Sequence, residues 1–278
     1  FFSWFLQRVI MNGAEYKSVP FMVRLPIEWA CGIASAGLVA PVIAIIDQAI
    51  VANASGTQSM GACITENTKM LVTRPQNFFR QPAVWFIWGV YSGTYIVANT
   101  IQSYCESSRI NPFYPKFIGS SFANVTLSVL KDKAFARMFG SGPPRPLPIP
   151  SYGLFATRDS MTILASFSLP PVFSAKLQRQ GVEKTQADFV TQLATPVGMQ
   201  IFSVPLHLLG LDLYNNPDRP GWGPAAASGR ISFIRQEYLK TLAARMARIF
   251  PAFGCGGVVN KYLREESAKR MNALYNSK

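Results

Sequence analysis

Between Gln81 and Cys105 the chain carries no charged side chain, and the run includes Trp85, Trp88, Tyr91 and Tyr95. A helix crossing a hydrocarbon core of about 30 Å needs roughly 20 mainly apolar residues, and lipid tolerates only helices and closed barrels because every backbone group must be satisfied internally. This run therefore predicts a membrane-spanning helix. Two further runs share its character: Trp29 to Ile46, and Phe189 to Leu211, which passes His207 and contains Pro196 and Pro205. Three shorter ones, Phe117 to Leu130, Ser160 to Ala175 and Ile249 to Asn260, reach spanning length by borrowing flanking residues such as Lys131, Arg158 or Arg248, whose charged heads can snorkel. Six spans are expected in an all-α membrane protein forming a single domain over residues 1–278.

Composition agrees. Hydrophobic residues make up 49% of the 278 and charged residues only 15%, against roughly 25% charged in a soluble domain, which excludes disorder. Lys and Arg number 27 against 14 acidic residues and one His, for a net charge of +13. The basic residues lie in short segments between uncharged stretches instead of on one face, which argues for a membrane protein and against a nucleic-acid partner. They divide almost evenly between the two sides of a six-span chain, so the positive-inside rule gives no orientation. Cys31, Cys63, Cys105 and Cys255 are far apart and form no CxxC pair, so reduced structural thiols are expected and no metal site. The opening at Phe1 fits a processed presequence or an incomplete chain equally. There is no phosphate-binding glycine loop, GxSxG, HExxH or dinucleotide fingerprint, so no enzyme and no cofactor are expected.

The stretches 52–80, 106–116, 140–150, 176–188 and 215–227 read as loops. Arg235 to Ala247, with Leu239, Leu242, Ala243 and Met246 set against Arg235, Lys240 and Arg245, reads as an amphipathic stretch suited to the membrane surface. Landmarks recur along the chain. Pro41, Asn124 and Pro205 fall late in the odd spans, and Pro82, Met161 and Pro251 fall early in the even ones, at intervals of roughly 80 residues. Three tandem two-helix repeats follow, with bounds near 20–110, 111–185 and 186–278.

In this layout the chain resembles the mitochondrial carrier family. Arg248-Ile249-Phe250-Pro251-Ala252-Phe253-Gly254 is similar to the opening of that family's even helices, followed by Gly257, Asn260, Lys261 and Arg264 at its aromatic, gate and basic positions. Arg158 to Met161 with Phe167, and Arg80 to Ala83 with Trp88 and Tyr91, resemble the same opening, while Ala36-Gly37, Ala40-Pro41 and Val204-Pro205-Leu206 look like the packing glycines and kink prolines of the odd helices. The family's gate charges are replaced, by Ile43, Thr126 and His207, by Ile46, Val129 and Gly210, and by Ser92, Pro171 and Lys261. Asp47, Lys131, Asp132 and Asp212 lie a few residues away, and a shifted alignment with them restores one or two pairs but not all six, so neither complete ionic gate is expected to form.

The resemblance implies an inner mitochondrial membrane protein, with the outer membrane second, lipid contacts that include cardiolipin, and, with both gates lost, a structural or accessory subunit or assembly partner of a respiratory-chain or ATP synthase complex, no longer transporting. The alternative is a transporter of anionic metabolites with non-standard gates, motivated by the net charge of +13 and the recurring arginines. Arg80, Arg158, Arg248, Lys261, Arg264 and His207 are the candidates for a substrate path or lipid contact, and Pro41, Pro82, Pro205, Pro251 and Gly254 for kinks and packing. The bland readings are lipid-phosphate contacts for the three arginines, a solvated helix end for Lys261 and Arg264, and for His207 a bond to a carbonyl freed by Pro205.

Overall fold

The computed structural model describes residues 19–140, 146–167, 169–217 and 224–276, all helical or in short turns, with no strand among them. Residues 141–145 of the 140–150 stretch and 218–223 of the 215–227 stretch lie outside the described residues, as does the opening at Phe1. Among the described residues are ten α-helices: α1 (Phe21–Ala54), α2 (Met60–Thr73), α3 (Pro75–Phe79), α4 (Pro82–Ser107), α5 (Phe113–Phe139), α6 (Ile149–Phe167), α7 (Leu169–Arg179), α8 (Lys184–Asn215), α9 (Pro224–Ile249) and α10 (Gly257–Asn276). A π-helical segment, Phe250–Gly256, joins α9 to α10.

The long helices close a ring. α1 packs on α4, α4 on α5, α5 on α6, α6 on α8 and α8 on α9, and the helix continuing through the π segment into α10 returns to α1. Polar bonds stitch neighbours together. The Trp88 indole donates to the Ile33 carbonyl at 3.1 Å, Asn124 to the Thr94 hydroxyl at 3.2 Å, and Thr195 to the Ala165 carbonyl at 2.6 Å. Small residues let the backbones approach: a Cβ on Gly32 would come within 3.0 Å of the Tyr95 Cβ, the close packing that membrane helices favour.

Polarity is inverted relative to a soluble bundle. Leu38, Val42, Trp85, Phe86, Ile118, Phe122 and Phe202 are exposed, while Glu28, Asp47, Lys131, Asp132, Arg158, Asp212, Arg245 and Arg264 are buried. Charged residues within a membrane bundle face its interior and pair there, and this is the distribution of a membrane protein. Two helices, Phe21–Ala54 and the Gln186–Asn215 part of α8, are long and apolar enough to cross a membrane by length and composition. The other ring helices carry more polar groups, such as Asn99 and Ser103 in α4, Lys131 and Asp132 in α5, and Arg158 and Asp159 in α6.

Several expectations are corrected. The 52–80 stretch is not a loop but holds α2, capped by the Ser59 hydroxyl, and α3, opened by Pro75. The fourth run begins earlier than Ser160, at Ile149, and the last run is the middle of one helical rod from α9 to α10. Arg235 to Ala247 is not a peripheral stretch but part of the long helix α9, which packs against α8 with Thr241 and Arg245 buried while Leu239 and Lys240 are exposed. Pro82 starts a helix instead of kinking one. Pro41 and Pro205 do lie inside helices. A proline leaves the carbonyl four residues earlier without its helical donor, and for Pro205 that carbonyl, Ile201, takes the Tyr238 hydroxyl at 3.0 Å. Pro251 and Gly254 fall in the π segment, where the Ala252 carbonyl accepts the Tyr95 hydroxyl at 3.4 Å and a Cβ on Gly256 would strike that hydroxyl.

Candidate functional site

Two layers of charge divide the interior. In the first, Asp47 of α1 accepts from Lys131 of α5 at 2.9 Å and from Arg248 of α9 at 2.5 Å. Lys131 also reaches Asp132 at 2.9 Å, and Asp132 pairs with Arg158 of α6 at 2.5 Å. Arg158 holds the adjacent Asp159 through two bonds of 3.0 and 2.8 Å, and its NH1 lies 2.6 Å from Nδ1 of His207 on α8. A guanidinium only donates, so His207 accepts at Nδ1 and carries its proton on Nε2. Phe155 packs against both Arg158 and His207, with its ring 5.3 Å from the guanidinium carbon. Five helices thus meet in one buried, fully paired chain of charges. Removing one partner from such a chain costs about 3–5 kcal/mol, because the other is left buried and unpaired.

The second layer lies toward the other end of α1, with residues of α4, α5 and α10. Glu28 of α1 takes two bonds from Arg264 of α10, from Nε and, at 3.0 Å, from NH2. Glu106 of α4 stands 3.9 Å from both Arg264 and Arg24. Asn99 and Asn260 exchange reciprocal amide bonds of 3.0 and 2.9 Å, and Asn99 also caps the Glu28 carbonyl at 2.9 Å. Lys116 donates to Gln102 at 2.5 Å.

Between the layers is a cavity of about 600 Å³, lined by Asp47, Asp159, Arg245 and Arg248 at one end and by Lys116, Asn260, Lys261 and Arg264 at the other. Tyr91, Tyr95, Asn124 and Gln200 line it as well. Its size falls within the roughly 300–1,000 Å³ usual for small-molecule sites. Charges of both signs, amides and phenols can hold a zwitterion with a polar, uncharged tail.

The structure sorts the expected residues. Arg248, Lys261 and Arg264 line the cavity; Arg158 and His207 sit behind it in the first layer; Arg80 is exposed at the end of α3, away from it. His207 bonds Arg158, not the carbonyl freed by Pro205. The expectation that no ionic gate forms fails on both sides: Asp47, Lys131 and Asp132 build one layer and Glu28 and Arg264 the other. Asp212, the fourth displaced charge, pairs with Arg230 instead. Glu28, Asn99, Glu106, Asp159, Gln200 and Arg245 were not foreseen, although Glu28 directly precedes one uncharged run and Glu106 directly follows another.

A family model described as probable citrulline exporter matches residues 31–268. No curated protein and no solved structure matches the chain. The match overturns the resemblance to mitochondrial carriers, whose signatures were carried by short segments around Arg248 and the helix prolines, and with it the reading as a transport-inactive accessory subunit. With most of its length matched, the chain belongs to the probable citrulline exporter family.

Proposed function

We propose that this protein moves citrulline, or an amino acid of the same chemistry, across a membrane through its central cavity. The observation that carries the reading is the mixed-charge cavity between two ionic layers. An α-amino acid with a ureido tail presents one cation, one anion and a planar donor–acceptor group, and the lining offers carboxylates, guanidinium groups and the amides Asn124 and Gln200 to meet them. Substrate that binds one arrangement of the layers more tightly would shift the population of states, as alternating access requires.

In this reading the chain crosses the membrane with six helical segments arranged as repeats near 20–110, 111–185 and 186–278, a single domain acting without catalysis or a cofactor. The inner mitochondrial membrane is our proposed location, supported by the net charge of +13, which anionic lipid such as cardiolipin would balance. The test is exchange of radiolabelled citrulline in liposomes containing the purified full chain. Saturable exchange abolished by Asp47→Asn supports the reading. Vesicles that exchange citrulline no faster than protein-free ones refute it, and fractionation of tagged protein tests the location.

A further inference from the structure

The first layer and the cavity wall beside it hold four cationic side chains, Lys131, Arg158, Arg245 and Arg248, against three carboxylates, Asp47, Asp132 and Asp159. Among the described residues, three of the cations are in ion pairs with those carboxylates and Arg245 has no carboxylate within 4 Å. Arg245 is nevertheless only 4% exposed, and it lines the cavity. Arg248, Asp47 and Asp159 line the same end of the cavity, and Arg248 is paired with Asp47 and Asp159 with Arg158. The Arg245 Nε donates at 2.9 Å to the side-chain oxygen of Gln200, a neutral acceptor. Gln200 is itself fixed, accepting the Ser203 hydroxyl at 3.1 Å and donating to the Pro196 carbonyl at 3.0 Å. A buried guanidinium without a counter-charge is expensive, and a clamped Nε leaves the two terminal nitrogens to engage a planar anion in the fork geometry that arginine favours.

We infer that Arg245 is the carboxylate anchor of the cavity, completed by the substrate's α-carboxylate. Resting on the transport reading, this assigns the end of the cavity near Asp159 and Arg248 to the amino-acid head, and the walls farther along, with Asn124 and Asn260, to the tail. Gln200 is the positioning residue: as an amide it orients the guanidinium without neutralising it, where a carboxylate would satisfy Arg245 internally.

The experiment measures binding to the purified full chain in lipid nanodiscs by calorimetry, with L-citrulline and its decarboxylated analogue 4-aminobutylurea as probes, and thermal unfolding as the control for folding. Arg245→Gln is expected to weaken citrulline roughly 10- to 100-fold, with Arg245→Lys restoring part of the loss. The analogue is expected to bind wild type and Arg245→Gln equally weakly. Gln200→Glu, which keeps the guanidinium and supplies an internal counter-charge, is expected to weaken citrulline similarly, and it decides the matter if Arg245→Gln does not fold. Citrulline binding within threefold of wild type in Arg245→Gln, or in Gln200→Glu where that variant decides, overturns the assignment, as does analogue binding to wild type as tight as that of citrulline. If wild type binds no citrulline, the transport reading fails separately. The remaining α-amino acids and the two- to four-carbon monocarboxylates are then screened by thermal shift. A carboxylate that stabilises wild type but not Arg245→Gln retains the anchor, and a folded wild type stabilised by none of them overturns it.

Discussion

Asp47→Asn isolates the node on which the first ionic layer turns. The carboxylate is buried between Lys131 at 2.9 Å and Arg248 at 2.5 Å. Replacing it with an amide keeps the shape and removes one charge. Lys131 retains Asp132 at 2.9 Å, so its loss is partial, whereas Arg248 has no other carboxylate within 4 Å among the described residues. Breaking a buried pair on one side costs about 3–5 kcal/mol. The Arg248 side chain is 19% exposed toward the cavity, where water can solvate it, so the lower end, about 3 kcal/mol, applies. At roughly 2–4 °C per kcal/mol for a chain approaching this size, the expected loss in Tm is about 6–12 °C. The assay is thermal unfolding in detergent of Asp47→Asn, Arg248→Gln and the double variant, read as a cycle. If the pair is coupled, the double variant loses less than the sum of the singles by more than about 1 kcal/mol. A Tm within 1 °C of wild type for Asp47→Asn, or strict additivity, would refute the view that the layer is a cooperative network.

Arg158→Gln should destabilise by about 3–5 kcal/mol, since it strips Asp132 and Asp159 of a shared buried partner; denaturant melts would show it. Lys261→Gln, whose partner Glu265 is 3.9 Å away and whose own side chain is 35% exposed, should change stability by less than about 0.5 kcal/mol in the same melts. Gly210→Ala should cost about 1–3 kcal/mol because the added Cβ would overlap the buried Phe155 ring, with Phe155→Leu recovering part of it. On the connecting helix α2, burial raises the Cys63 thiol above its ordinary range. Fewer thiolates then exist at pH 8 than for a free cysteine, so alkylation of Cys63 in the folded protein should be slower than that of a free cysteine at the same pH, and its rise with pH should level off at higher pH than for a free cysteine; mass spectrometry of the modified peptide would measure it.

The charge-free runs carried most of the legible information. Trp29 to Ile46 lies wholly inside α1, and Gln81 to Cys105 matches α4 but for its first residue, which caps the helix. The site was legible at the run ends. Glu28 and Asp47 flank the first run, Lys116 and Lys131 the third, Arg248 and Lys261 the last, and each pair divides between the two ionic layers or cavity ends because an uncharged helix separates its charged termini. The signatures of the mitochondrial carrier resemblance point to Ile43 and so pass over Asp47, four residues on, which is the residue that pairs with Lys131. Arg245 was hidden by its context: with Arg235 and Lys240 it reads as the charged face of an amphipathic helix, and only the structure shows that Arg245 is buried against Gln200 of α8 while Arg235 and Lys240 stay exposed. The partners of His207 and Tyr238 were likewise out of reach, because both bonds join residues far apart in the chain.

The π segment sets the angular phase of the last helix. In an uninterrupted α-helix, with 3.6 residues per turn, the spacing from Arg248 to Arg264 corresponds to a rotation of about 160°, which would aim the two guanidinium groups at opposite sides. One residue taken up by a widened turn subtracts about 100°, bringing them within about 60° of each other. Arg248 can then reach Asp47 while Arg264 reaches Glu28, two carboxylates on the same helix α1. Phe250–Gly256 therefore acts as a phase shifter: closing it to regular α-helical turns at unchanged length would rotate Arg264 about 100° away from Glu28, whereas deleting one residue as the turn closes would keep the two layers in register.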